Sequence, residues 1–305
     1  MRKNASSVIV FTVILCCLIY LLQFGIDLSY RSRVKNKFTH LLNHQVDAEI
    51  MVFGSSIAHH QIDPEIITKV TSMPAYNMGW DGLFFVQYNA LLKEYISYQK
   101  KARCIVIACD FENLGKNELI TRPDLFLAYL NNEHIYNSLR EIEPGKMAKA
   151  LYVPGYKFTL LNKAFYNALL FPATEKGRGG YEPVANNNWQ VVSDTLKPFK
   201  ARYNERIYTE LKSTIAAITQ KGIKVVVVMT PVYEQGYKMI TNAEEIKAKY
   251  RSLAGNGVYF LDYTQDTLSR SREHFINYSH LNPDGAATFT HTLAKDLQGI
   301  MGQNK

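Results

Sequence analysis

Ile50-Met51-Val52-Phe53-Gly54-Ser55-Ser56 decides the fold. The apolar run reads as a buried strand, and Gly-Ser-Ser at its end delivers a hydroxyl to the mouth of a sheet. Near the other end, Phe275-Ile276-Asn277-Tyr278-Ser279-His280-Leu281-Asn282-Pro283-Asp284-Gly285 sets a histidine just ahead of a helix start. Asn282 is the expected N-cap and Pro283 the first helical residue. A serine after the first strand and a histidine before the last helix can meet on one rim of a doubly wound sheet, the rim at which such folds bind ligands.

Between these ends strand and helix signals alternate. Residues 48–53 form the first strand. Asp63 caps a helix that opens with Pro64 and runs to Val70. Residues 74–77 lead into the loop Met78-Gly79-Trp80-Asp81-Gly82, a helical pattern covers 83–98, and 104–109 is a continuous apolar strand followed by a polar loop, 110–117. The stretch 122–173, rich in leucine, tyrosine and asparagine, carries helical periodicity and is expected as an inserted helical subdomain or lid. Residues 174–188 (TEKGRGGYEPVANNN) read as a flexible loop. Then come a helix over 198–220, a β-branched strand over 223–229, a helix over 243–253, a strand over 258–262 and a last helix over 283–300. Strands separated by helix-length segments predict an α/β fold, a parallel sheet with helices on both faces.

A chain of 305 residues, 47% hydrophobic and 20% charged, has material for one large globular domain. The formal charge of +8 is spread without a long basic run. This disfavours nucleic acid as a partner and suits an anionic envelope surface or polymer. Cys16 and Cys17 fall in an apolar stretch, and Cys104 and Cys109 point to opposite faces of one strand, so neither disulfides nor a metal-type cysteine spacing is expected. His59 and His60 have no third ligand at metal spacing in the sequence, and no metal or cofactor is expected. They read as cleft-lining or ordinary polar positions.

Residues 8–26 (VIVFTVILCCLIYLLQFGI) are nearly charge-free and long enough to cross a bilayer as a helix. A short tail, 1–7, precedes them with Arg2 and Lys3. No small-residue cleavage site follows, so the segment reads as an uncleaved membrane anchor rather than a removed signal. Residues 27–46 read as a basic stalk whose charges face solvent or headgroups. Arg31, Arg33, Lys35 and Lys37 favour a cytoplasmic domain by the charge rule. Against that rule, a first apolar segment with no later span commonly carries the downstream domain across the membrane. The expected location of the domain is therefore extracytoplasmic, in the periplasm or at the cell surface. That domain spans 47–305, with the helical insertion at about 120–190.

A serine hydroxyl becomes a nucleophile when an adjacent base takes its proton and a third group holds the base. Ser56 supplies the hydroxyl, His280 the base, and Asn277, three residues earlier, can turn in beside the imidazole. The oxyanion needs preorganised N–H donors, for which the Ser56 and Gly82 amides are the candidates.

Gly54-Ser55-Ser56, the Asn77-Met78-Gly79-Trp80-Asp81-Gly82 loop, and His280-Leu281-Asn282 followed by Gly285-Ala286 resemble the motifs of the SGNH (GDSL-type) hydrolase superfamily. The similarity runs from Asp47 to the C-terminus and is strongest towards its membrane-anchored envelope branch, which includes teichoic-acid D-alanyl transfer and alginate O-acetylation proteins. The resemblance implies a three-layer, flavodoxin-like sheet with Ser56 as nucleophile, His280 as base and Gly82 as oxyanion donor. It further implies an ester hydrolase or O-acyltransferase acting on acyl or acetyl esters of an envelope glycopolymer, with a membrane acyltransferase as a candidate partner. Two positions depart from the pattern. Asn277 stands where the family carries aspartate, an exchange that costs about four orders of magnitude in turnover in serine proteases. The third block reads Cys109-Asp110-Phe111-Glu112-Asn113, so Asn113, the implied third oxyanion donor, lies one residue beyond the family register. Asp262 and Asp284 are candidate assisting carboxylates. These departures keep a second expectation open, a catalytically degenerate SGNH-like binding or assembly protein.

Overall fold

The computed structural model describes residues 2–115, 119–172, 179–185, 189 and 197–302. Most of the expected 174–188 loop lies outside the described residues. In chain order the helices are α1 (Arg2–Arg33), α2 (Lys37–Leu42), α3 (Ser56–Gln61), α4 (Pro64–Thr71), α5 (Phe85–Tyr98), α6 (Pro123–Phe126), α7 (Glu133–Ile142), α8 (Pro144–Tyr152), α9 (Lys163–Leu170), α10 (Glu205–Thr219), α11 (Glu234–Lys238), α12 (Ala243–Arg251) and α13 (Pro283–Gly302). The chain divides into two compact units, Met1–Gln45 with Glu118–Glu175, and Val46–Asn117 with Lys176–Lys305.

The second unit is an α/β fold. Strands β1 (Ile50–Phe53), β2 (Ala75–Asn77), β3 (Cys104–Cys109), β4 (Lys224–Met229) and β5 (Val258–Asp262) pair in parallel in the order β2-β1-β3-β4-β5. Strands covered on both faces need no polar side, which is why β1, β3 and the 225–229 part of β4 read as unbroken apolar runs; all residues of β1 and β3 are buried. On one face Ile50, Val52, Val106, Val226 and Val228 pack against Ile57 of α3, Ile67 of α4 and Phe289, Leu293 and Leu297 of α13. Towards the other, Phe53 meets Tyr95 of α5 at a ring separation of 5.9 Å, and α10 packs on β4 and α5. Cys104 and Cys109 are both buried free thiols.

The strand order reverses between β1 and β3. β1 leads on to β2 on one side and the chain then returns to build β3, β4 and β5 on the other, so a crevice opens at the carboxyl ends of β1 and β3. Gly54 makes that junction tight. A Cβ there would sit 2.7 Å from the Ala108 carbonyl oxygen and 2.9 Å from the Ala58 Cβ.

Several boundaries differ from expectation. Residues 75–77 form a strand where only a lead into a loop is expected; they pair with β1 in register Ile50–Ala75 to Val52–Asn77. α10 begins at Glu205 rather than at 198, because Asn204 caps it by accepting from the Arg206 and Ile207 amides. The preceding residues instead bridge Phe199 to Ile240.

In the first unit, α1 is a long helix whose most apolar 18-residue window, within residues 5–33, has a mean hydropathy of 2.6. Its outer side chains, Val8, Phe11 and Leu21 among them, are exposed. From residue 19 onward α1 meets the 119–172 helices. The Tyr20 hydroxyl donates to the Tyr152 carbonyl, Tyr30 stacks on Phe165 at 4.5 Å, Lys157 pairs with Asp27, and Arg31 donates to the Ala128 carbonyl. Within the 27–46 stretch several side chains are buried. Tyr30, Val34, Lys37, Phe38 and Leu41 are all at most 3% exposed, with Tyr30 stacked on Phe165 and Phe38 edge-on to Phe126 at 5.5 Å.

Candidate active site

Ser56 is the first residue of α3, directly after the Gly54-Ser55 turn that ends β1. At this position its backbone N–H has no acceptor within the helix and projects from the helix start. His280 lies in a short loop closed by a Phe275–Leu281 bridge and by the Ile276 amide donating to the His280 carbonyl at 2.9 Å. The loop runs into α13 as the capping residues dictate. Asn282 Oδ1 accepts from the Gly285 amide at 2.9 Å, and its Nδ2 donates to the Glu273 carbonyl.

Ser56 Oγ and His280 Nε2 are 2.9 Å apart, and Asn277 Oδ1 is 3.1 Å from His280 Nδ1. The same Asn277 oxygen accepts from the backbone N–H groups of Ser279 at 3.0 Å and His280 at 2.9 Å. Two backbone donors fix which end of the amide faces the ring: the oxygen does. An oxygen acceptor at Nδ1 requires the proton there, which leaves the Nε2 lone pair towards Ser56. Thus Asn277 selects the tautomer a general base needs, although it brings no negative charge. Ser279 Oγ adds a contact to Nδ1 at 3.1 Å.

The basicity of His280 is lowered, first by burial and then by the neighbouring His60, with Asp81 opposing. It is therefore neutral and ready to accept a proton at pH 7.

α3 is tied to the histidine loop directly. Gln61, fully buried, donates from Nε2 to the Ser279 carbonyl at 2.9 Å. Thr290 of α13 bridges the end of α3, donating to the Gln61 carbonyl at 3.0 Å and accepting from the Asp63 amide at 3.1 Å.

Ser56 and His280 border a cavity of about 200 Å³, with Asp110, Glu112 and Thr230 at the strand ends and Phe111, Phe199, Val232 and Ile240 as apolar wall. Asp110 follows β3. Its Oδ1 accepts from the Glu112 amide at 2.7 Å and from Asn113 Nδ2 at 2.9 Å. Burial raises its carboxyl to about 6, against hydrogen bonds from the Glu112 and Asn113 backbone amides and one with the Ser55 side chain.

The structure thus brings Ser56, His280 and Asn277 together. It does not bring Gly82 or Asn113 into the cavity lining. Gly82 sits in an exposed turn at φ +72°. Asn113 is buried with its Nδ2 on Asp110 and its Oδ1 accepting from the Tyr88 hydroxyl at 3.0 Å. Of the two carboxylates considered as assistants, Asp262 is engaged elsewhere, 3.0 Å from Lys247 Nζ and accepting from Thr264, and Asp284 lies in the first turn of α13. Sequence reasoning misses Gln61, Ser279 and Asp110. The position of Asp110 immediately after an unbroken apolar strand is the available signal.

A further cluster lies along α3. His59 Nδ1 and His60 Nε2 are 3.2 Å and 2.8 Å from Asp81 Oδ1, so the third ligand-type residue that the spacing of the two histidines lacks comes from the loop after β2. The Asp81 carboxyl is held below the usual carboxylate range: burial acts against this, and hydrogen bonds from His59 and His60 outweigh it. Conversely His60 is raised, burial opposing and Asp81 prevailing.

The fold and the serine–histidine pair define an α/β chain with a hydroxyl–imidazole contact at the carboxyl end of its parallel sheet. No family model matches the chain, and no curated protein matches it. Among similar solved structures is one from Bacteroides fragilis described as a "putative acylhydrolase", with a TM-score of 0.40 and 10% identity, covering 86% of this chain and 96% of that one.

Proposed function

We propose that the protein is a membrane-anchored serine esterase or O-acyltransferase of the SGNH type, acting on short acyl esters of a cell-envelope glycopolymer from the extracytoplasmic side. The observation that carries this reading is the 2.9 Å approach of Ser56 Oγ to His280 Nε2, in the tautomer set by Asn277. Ser56 Oγ attacks the ester carbonyl while His280 Nε2 takes its proton, and the carbonyl oxygen becomes an oxyanion beside the Ser56 amide. The intermediate collapses, the C–O bond to the sugar breaks, and His280 returns the proton to the leaving alkoxide. The acyl group on Ser56 then passes to water or to an acceptor hydroxyl, whose proton His280 takes and hands to Ser56 Oγ as the bond from that oxygen to the acyl carbon breaks, restoring the free serine and the neutral histidine. A cavity of about 200 Å³ with an apolar wall suits a short acyl group rather than a long chain.

The anchor reading is supported by the packing of α1. Removal as a signal at any point beyond residue 20 would strip the contact to Tyr152 from the insertion, and a cut beyond residue 30 would also remove the Lys157 and Phe165 contacts.

The neutral Asn277 favours a second reading, a degenerate binding or assembly protein that keeps the fold. Acetate release from an O-acetylated envelope glycan by the full chain in detergent, beside Ser56→Ala, decides between them. Release that depends on Ser56 supports the enzyme; equal release by both, or none, contradicts it.

A further inference from the structure

We infer that His59, His60 and Asp81 form a site for one first-row divalent metal ion of the zinc type. Sequence spacing hides it, since two ligands come from α3 and the third from the loop after β2.

The donor atoms are close enough to share an ion. One ligand-type atom from each of His59, His60 and Asp81 lies within 4.8 Å of the other two, and His59 Nδ1 and His60 Nε2 are 3.2 Å and 2.8 Å from Asp81 Oδ1. A zinc ion about 2.0–2.2 Å from each donor fits ligand separations of that order with a small outward adjustment. Two imidazoles and one carboxylate suit zinc and its first-row neighbours better than magnesium or calcium, which favour all-oxygen shells.

The far sides of both rings point the same way. His60 Nδ1 is 2.5 Å from the Glu182 carbonyl oxygen. A carbonyl only accepts, so that nitrogen carries the proton, and a neutral His60 presents its Nε2 lone pair to the Asp81 carboxylate. Two lone pairs 2.8 Å apart repel; the arrangement calls for a positive centre, either a second proton on the ring or a metal ion between the groups. His59 repeats the pattern. Its Nε2 faces the Glu182 carboxylate at 3.7 Å while Nδ1 faces Asp81. One metal ion satisfies all three inward atoms at once, and Glu182 is the outer partner that holds both rings, as metal-bound histidines generally require.

The site is also preorganised. His59 is buried and stacked on His60 at 4.4 Å and on Trp80 at 5.7 Å. Gly79 lets the Asp81 loop close on α3; a Cβ at Gly79 would be 2.5 Å from the His59 amide nitrogen. The Asp81 side chain remains 52% exposed, and three protein ligands leave a coordination position for water or a substrate oxygen. His60 lies four residues after Ser56 on α3, which places both on one helix face. A bound ion would therefore hold positive charge and an oxygen ligand next to the Ser56–His280 pair.

The test is zinc binding by the full, tag-free chain in detergent, stripped with chelator and titrated with Zn²⁺ by calorimetry. The inference predicts one strong equivalent per chain, lost or weakened at least about tenfold by Asp81→Asn and by His60→Gln. Glu182→Ala, which keeps its backbone carbonyl, should weaken binding less than either. Asp81→Asn changes a half-exposed group and should fold, with circular dichroism as the check, and His60→Gln provides an independent second variant. No strong equivalent in the wild type, or binding as tight in Asp81→Asn and His60→Gln as in the wild type, overturns the site. Because binding is read without turnover, its failure is distinct from failure of the serine mechanism.

Discussion

Gln61 and Ser279, 218 residues apart in sequence, are joined by a 2.9 Å hydrogen bond from the Gln61 amide to the Ser279 carbonyl. Ser56 and Gln61 open and close the same short helix, and Ser279 precedes the histidine. This bond therefore sets the distance between hydroxyl and imidazole from behind the site. Gln61→Ala should leave a folded chain, destabilised by about 1–3 kcal/mol, with kcat lowered and KM little changed. Gln61→Glu, whose oxygen cannot donate when ionised, should behave similarly. Unchanged kcat in both variants contradicts the positioning role.

Asn277 orients His280 without charge. A carboxylate at the same place would stabilise the imidazolium formed during attack, so Asn277→Asp should raise kcat by about tenfold or more and shift the His280 titration upward. Ester turnover and its pH profile in the two chains measure both effects. A chain that is inactive before and after the change belongs to the binding-protein reading.

The rate should depend on a base with a pKa below the ordinary histidine value of 6.5, since burial and the facing His60 lower His280, with Asp81 opposing. Only the neutral ring accepts a proton, so kcat/KM should rise through that pKa and be level by pH 7. Replacing His60 with glutamine removes a positive neighbour and should move the rising limb to higher pH. A limb above pH 7 in the wild type contradicts this electrostatic account.

Asp110 carries a folded-state carboxyl raised to about 6 from 3.8. The protonated form is favoured by folding, so its contribution to stability is complete below about pH 4 and is lost as pH rises through about 6. Asp110→Asn cannot ionise. Relative to it, the wild type should lose roughly 1–3 kcal/mol between pH 4 and pH 7, measured by urea unfolding of the detergent-purified chains. A stability difference that does not change with pH contradicts the shift.

Much of this fold is legible in the sequence because parallel strands buried on both faces leave unbroken apolar runs. The third strand is expected at 104–109 and observed at Cys104–Cys109. Local chemistry also shows through. Asp63 and Asn282 read as caps and accept the expected backbone donors. Three-residue β2 is too short to register, and α3 hides in Ser-Ile-Ala-His-His-Gln, which has no helical apolar period. Contacts that depend on remote chain segments are out of reach. Tyr30 and Phe38 look like stalk residues until helices about a hundred residues downstream cover them, and Asp81 joins the two histidines only when the loop after β2 closes on α3. Ser56, His280 and Asn277 are legible because each sits beside a local signal, a strand end or a helix cap.

The most direct test of the central claim is fluorophosphonate labelling of the full chain in detergent, wild type beside Ser56→Ala and His280→Ala. The serine mechanism predicts covalent labelling of the wild type at Ser56, none in Ser56→Ala, and at most a small residue in His280→Ala. Labelling undiminished by Ser56→Ala, or a wild type that does not label, contradicts the assignment of Ser56 as an activated nucleophile.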